Sequence, residues 1–145
     1  MPRPVTNSAK AVWNGDLKSG SGTTSLETSQ LGTFPTHWKA RSEESERGTT
    51  SPEELIGAAL ATCFSMQFSN MLAENGTPPT TIESTANVTF NIAEGGITGI
   101  ELINNSTIEN IDEADFQRLA NEAKETCPVS KALQGVEITL NATLG

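Results

Sequence analysis

Between Ser51 and Gly76 the chain carries one long apolar segment with a start signal and a stop signal, and any fold must house it. Ser51 stands as an N-cap, Pro52 takes the first helical position, and Glu54 follows the cap by three residues, the pattern of a capping box. Beyond the acidic first turn the residues are apolar on nearly every face as far as Leu72, and Asn75-Gly76 supplies the stop. The pattern predicts a helix over 52–74 that is buried on all sides. Ser65, Gln67, Ser69 and Asn70 interrupt the run, which makes it too polar for a membrane span. Cys63, one of only two cysteines in the chain, lies in its middle.

A chain of 145 residues is expected to form one domain. A domain of that size buries roughly 70% of its unfolded surface and needs no disulfide staples. Its 35% hydrophobic content is modest, so part of the core is expected to be shared with a second chain. A formal charge of −9 argues against nucleic acid and anionic membranes as partners. The first residues, Met1-Pro2-Arg3-Pro4-Val5-Thr6-Asn7, lack the apolar run of a signal peptide. The expected location is therefore the cytoplasm, where structural disulfides are rare.

Before the central helix the sequence reads as a tail over 1–8 and then a small antiparallel meander. Its strands are expected at Lys10 to Trp13, Thr23 to Thr28 and Leu31 to Phe34, with Asn14-Gly15-Asp16 and Gly20-Ser21-Gly22 as punctuation. Residues 37–50 are polar and charged and read as a long loop, a length usually tied to function or disorder. After the helix, Ile82, Ser84, Ala86, Val88, Phe90 and Ile92 alternate with polar residues, the mark of a half-buried strand. Gly95-Gly96 turns the chain into a partner strand from Ile97 to about Thr107. Asp112 caps a second helix whose apolar positions Phe116, Leu119, Ala120, Ala123 and Cys127 share one face, and Pro128 breaks it. Ser130 to Gln134 makes one further turn, and Val136, Ile138, Leu140, Ala142 and Leu144 alternate in a final strand. The class is α+β.

The chemistry available is narrow. One histidine, His37, and two distant cysteines do not make a zinc site, and no metal is expected. Gly20-Ser21-Gly22 lacks the third glycine and the helix of a dinucleotide loop, so no bound cofactor is expected either. A serine triad has only His37 to draw on and no Gly-x-Ser-x-Gly elbow. The cysteines leave two readings open: two small hydrophobes in a core, or a redox pair. The second needs a thiolate, and an ordinary thiol supplies only a few per cent of it at neutral pH. Cys63 is about three turns into its helix, too deep for the dipole to help. A cation must do so, held by a carboxylate. Arg41, Arg47 and Glu53 are the parts at hand.

These residues carry a resemblance. Pro52-Glu53-Glu54-Leu55-Ile56-Gly57-Ala58-Ala59, then Cys63-Phe64-Ser65-Met66, then Cys127-Pro128-Val129-Ser130 resemble the OsmC/Ohr family. Trp13-Asn14-Gly15-Asp16, Gly20-Ser21-Gly22, Ala86-Asn87-Val88-Thr89 and Ile138-Thr139-Leu140 are similar to its OsmC branch, so the likeness runs from about Lys10 to the end. The resemblance implies antiparallel sheets packed around the long central helix, in an intertwined homodimer with two active sites at the interface. It implies a thiol-dependent peroxidase of organic hydroperoxides, serving oxidative and osmotic stress defence, with an external dithiol or a dihydrolipoyl protein as reductant. Cys63 would be the peroxidatic thiol, Cys127 the resolving one, and Glu53 the carboxylate that orients Arg41. The loop between Arg41 and Pro52 is longer than the family pattern and Ser42 stands where an aromatic residue often follows the arginine, which keeps Arg47 as a rival. A dimeric module that binds an apolar ligand and a redox sensor are the non-catalytic alternatives.

The spacing poses one further problem. In a straight helix, Glu53 and Cys63 are about 15 Å apart along the axis, too far for one arginine to serve both. Either the helix breaks near Gly57, or two copies cross so that Arg41 and Glu53 of one chain meet Cys63 of the other. Small residues at Gly57, Ala58, Ala59 and Ala61 are expected to permit the crossing.

Overall fold

The structure, a computed structural model, describes residues 3–43 and 47–145. The chain forms two compact units, one ending at Pro52 and the other running from Glu53 to Gly145. Met1 and Pro2 of the expected tail, and residues 44–46 of the expected loop, lie outside the described residues.

The first unit is the meander. Strands β1 (Ala9–Asn14), β2 (Ser21–Leu26) and β3 (Thr33–Thr36) pair antiparallel in chain order. The turn from β1 to β2 is built by the residues that punctuate the sequence. Gly15 takes φ +91°, open to glycine without strain. The Asp16 carboxylate accepts from the Ser19 backbone N–H at 2.7 Å and from its hydroxyl, which holds Asp16 below the usual carboxylate range. Gly20 N–H and the Trp13 indole N–H both donate to the Asp16 carbonyl, at 3.0 and 3.1 Å. A Cβ on Gly20 would run into the carbonyls of Asp16 and Asn14. β3 begins two residues later than the sequence predicts, because Leu31 is 81% exposed and sits in the connection. The expected loop contains a one-turn helix, α1 (Lys39–Ser42), too short and too charged to register as periodicity. Thr50 N–H then donates to the Pro35 carbonyl, bringing the chain back beside β3.

The second unit begins with the central helix, α2 (Pro52–Glu74), one unbroken element with the predicted bounds. It ends on Asn75-Gly76 as predicted: Gly76 has φ +83°, its N–H donates to the Ala73 carbonyl, and Thr77 N–H donates to the Leu72 carbonyl at 2.9 Å. That is a Schellman stop. Burial on all sides is not observed. Glu53, Gly57, Leu60, Phe64, Phe68 and Leu72 form one buried stripe, while Ala58, Ala59, Thr62 and Met66 on the other faces are exposed. Small and apolar residues off the stripe make the helix look uniformly greasy in sequence. By length and hydropathy alone it could cross a membrane, but its stripe packs into the core of its own unit. Gly57 serves a strand rather than a second helix: a Cβ there would sit 3.0 Å from the Ala86 carbonyl, so the missing side chain lets α2 lie close on the sheet.

That sheet comprises β4 (Pro79–Asn91), β5 (Gly96–Ile108) and β6 (Ile138–Leu144) in the order β4-β5-β6. β4 and β5 form the predicted hairpin around Gly95, at φ +70°. β6 pairs with β5 in parallel, Ile100 to Ile138 through Ser106 to Leu144. The expected antiparallel pairing therefore holds for the meander and the hairpin, and the last strand departs from it. Between β5 and β6 the chain crosses over through α3 (Glu113–Thr126) and α4 (Pro128–Ala132), the kind of connection a parallel pair needs. Asp112 caps α3 as predicted, its carboxylate accepting from the Asp115 N–H at 2.7 Å. Phe116, Leu119, Ala120 and Ala123 of α3 face Leu60, Phe64, Phe68 and Leu72 of α2 across one core with Ile100 and Leu102. Phe68 is its aromatic centre, 5.6 Å from the Phe64 ring and 5.7 Å from that of Phe116.

Candidate active site

Cys63 sits on α2 beside the buried stripe, and Cys127 occupies the junction where α3 stops and α4 starts. Pro128 has no N–H to continue the first helix, so the chain turns there and holds Cys127 at a fixed point. The Cys127 N–H donates to the Ala123 carbonyl at 2.9 Å, and its own carbonyl accepts from Lys131. The two sulfurs are brought together as the sequence predicts. Both are free thiols, and they lie close enough for Cys127 to act on the Cys63 thiol.

Their surroundings differ. Cys127 is completely buried, whereas Cys63 keeps partial access to solvent. Burial pushes the Cys63 thiol above the usual thiol range, and the contact with Cys127 pushes it further. The backbone N–H of Val129, in the first turn of α4, acts in the other direction by favouring a thiolate. Every one of these groups belongs to the second unit. Within that unit the two thiols are brought together, but Cys63 is disfavoured as an anion.

The remaining predicted residues are divided between the units. Glu53 is buried in the first turn of α2, and that helix does not break at Gly57. Ten residues of continuous helix separate Glu53 from Cys63, or about 15 Å. Arg41 is half-buried in α1 of the first unit, where its backbone N–H donates to the Trp38 carbonyl at 3.0 Å. Arg47 is exposed. The greasy neighbourhood read from Phe64, Met66, Phe68 and Met71 is only partly on offer: Phe64 and Phe68 are consumed by the core, while Met66 is 68% exposed.

Two polar groupings carry no sequence prediction. Gln67, one turn beyond Cys63, donates to the Thr126 hydroxyl at 2.9 Å, beside Cys127. Ser65 bonds Ser84 of β4 at 2.7 Å, and the fully buried Asn104 donates to Ser84 and accepts from Ser106. The available signal was polar residues at positions the pattern assigns to the interior: Gln67 and Ser65 within an apolar run, and Ser84 on the inward face of a strand.

The OsmC-like protein family model matches residues 44–141. Peroxiredoxin OsmC of Escherichia coli is 43% identical over 142 residues, which cover 97% of each chain. The chain belongs to the OsmC family. Organic hydroperoxide resistance protein-like 2 of Staphylococcus epidermidis is 25% identical across 93% of this chain and 98% of its own. Among solved structures, an organic hydroperoxide resistance protein from Elizabethkingia anophelis superposes with a TM-score of 0.76 at 22% identity, over the full length of both chains. An OsmC-like protein from Mycoplasma pneumoniae gives 0.73 at 19% identity, covering 98% of this chain and 99% of its own. These two likenesses are of fold. Cys63, Cys127, Glu53 and Arg47 fall inside the OsmC match, and Arg41 lies three residues before its start.

Proposed function

We propose that this OsmC-family chain is a thiol-dependent peroxidase that reduces organic hydroperoxides to alcohols. The observation that carries the reading is the contact between a partly accessible thiol, Cys63, and a fully buried one, Cys127, in a chain 43% identical to Peroxiredoxin OsmC. The accessible thiol meets substrate and the buried one meets only its neighbour. The Cys63 thiolate attacks the distal oxygen of the hydroperoxide, the O–O bond breaks, and the alkoxide leaves and takes a proton. Cys63 is oxidised to a sulfenic acid. The Cys127 thiolate then attacks the Cys63 sulfur, hydroxide departs and is protonated, and a disulfide forms. An external dithiol, small or carried on a lipoylated protein, restores both thiols by exchange.

A cation is needed to offset the raised thiol, and Arg41, oriented by Glu53, is our assignment; Arg47 is the rival. The unbroken helix between Glu53 and Cys63 favours an arrangement in which Arg41 and Glu53 come from a partner subunit, so that a homodimer carries two shared sites. The apolar face that α2 leaves exposed, Ala58, Ala59 and Met66, supports the same reading. The whole chain then acts as one OsmC-like domain, in the cytoplasm, against oxidative or osmotic stress. The test is steady-state turnover of cumene hydroperoxide and hydrogen peroxide with a dithiol as reductant. Faster turnover of the organic substrate, without any partner protein, is expected. No turnover of either would overturn the enzymatic reading in favour of a ligand-binding or redox-sensing module.

A further inference from the structure

Gln67 and Cys63 are four residues apart on α2 and so lie one above the other on the same helix face. Thr126 and Cys127 are adjacent at the end of α3. The Gln67 amide donates to the Thr126 hydroxyl at 2.9 Å, across 59 residues of sequence. Thr126 is in turn fixed, because its hydroxyl donates to the Glu122 carbonyl at 2.7 Å and leaves its lone pair facing Gln67. The polar chain Gln67, Thr126, Glu122 thus fastens the two helices one turn from the sulfur contact. A ring contact between α2 and α3, Phe68 against Phe116, lies at the opposite end of α3. Pro128 ends α3 immediately beyond Cys127 and opens α4, so the thiol sits at the junction of the two helices.

We propose that Gln67 and Thr126 are positioning residues that strap the resolving cysteine against Cys63 and thereby speed the closing of the disulfide. The proposal rests on the thiol-peroxidase reading. The strap acts on the second step alone. Cys63 meets peroxide from its solvent side, whereas the attack of the Cys127 thiolate on the Cys63 sulfenic sulfur, with loss of hydroxide, depends on holding the two sulfurs together. Orientation of this kind enters as effective concentration, and one neutral hydrogen bond is worth about a 3- to 10-fold change in such a rate.

Thr126→Val keeps the shape and removes the hydroxyl, Gln67→Leu removes the donor, and Thr126→Ser restores the hydroxyl. Each reduced protein is mixed with one equivalent of cumene hydroperoxide; dimedone trapping reports sulfenic acid and intact mass reports disulfide. Sulfenic acid formation is expected at the parent rate in all three. Disulfide formation is expected to slow about 3- to 10-fold in Thr126→Val and Gln67→Leu, and no further in the double variant. Thr126→Ser is expected to match the parent. Overoxidation to sulfinic acid at excess peroxide rises as closure slows. A second arm uses diamide, which takes two electrons from the thiol pair and is reduced to the hydrazine, so it reads the strap even if the protein proves inert to peroxide. Unchanged closure in both arms overturns the proposal, as does an equal slowing of both steps, which would mark general loosening of the fold.

Discussion

The two units of this chain are stabilised in different ways. Every buried residue among those described belongs to the second unit, where α2, α3 and the mixed sheet enclose one continuous apolar core. The first unit has a well-formed turn and a regular ladder but no buried side chain, and Val12, Trp13, Leu17, Leu31 and Phe34 are all exposed. A three-stranded sheet with no buried side chain among the described residues gains little from burial. The same contrast runs through the chemistry. The second unit contains both thiols in contact and the first contains Arg41. One unit holds a thiol that burial disfavours as an anion, and the other holds the arginine proposed to offset this.

The largest effects test whether the thiols act as assigned. Cys63→Ser is expected to abolish even a single round of peroxide consumption. Cys127→Ser is expected to consume about one equivalent and stop at the sulfenic acid, if the buried thiol acts as the resolving one proposed above. Mixing the inactive Cys63→Ser and Arg41→Ala proteins under conditions of verified subunit exchange sharpens the contrast between units. Recovery of activity is expected, since one hybrid site combines Cys63 from one parent with Arg41 from the other. Absence of recovery would place the whole site within one chain.

Stability should separate the units next. Phe68 is fully buried between Phe64 and Phe116, so Phe68→Ala is expected to cost about 3–5 kcal/mol in denaturant unfolding. Phe34 is 38% exposed, and Phe34→Ala is expected to cost about 0.5 kcal/mol or less, the range of surface substitutions. A loss at Phe34 equal to that at Phe68, growing on dilution, would mean that a second chain covers the meander.

How far the sequence foretold these features depends on whether they are local. The bounds of α2, the Asp112 cap and the Gly95 hairpin were legible because each is decided by residues within one turn of it. The parallel seating of β6 was not, since the Ile138–Leu144 alternation is the same whichever way its neighbour runs. The buried stripe of α2 was overestimated for a related reason: Ala58, Ala59 and Met66 are apolar whether or not the chain covers them. The cysteine contact was legible only through two motifs read together. The Gln67–Thr126 bond was not, because a glutamine in an apolar run gives no sign of its partner 59 residues away.

The smallest effect is a change in pH dependence. Within its own unit Cys63 is raised by burial and by Cys127. If Arg41 acts on it, the intact protein lowers that thiol and Arg41→Ala releases it upward. Alkylation of Cys63, followed by peptide mass against pH, is therefore expected to reach half its plateau at higher pH in Arg41→Ala than in the parent, while Arg47→Ala leaves it in place; the opposite ranking would transfer the role to Arg47. Stability follows by linkage. In Arg41→Ala the folded thiol titrates above the unfolded one. Its stabilising contribution is then full below the unfolded thiol's pKa and is lost as pH climbs through the folded value. In the parent, an Arg41 that acts on the thiol offsets part of that rise, so less stability is lost as pH climbs. The difference in stability between the two proteins should thus widen as pH rises through the thiol range, and a difference that stays flat across that range would remove Arg41 from the site.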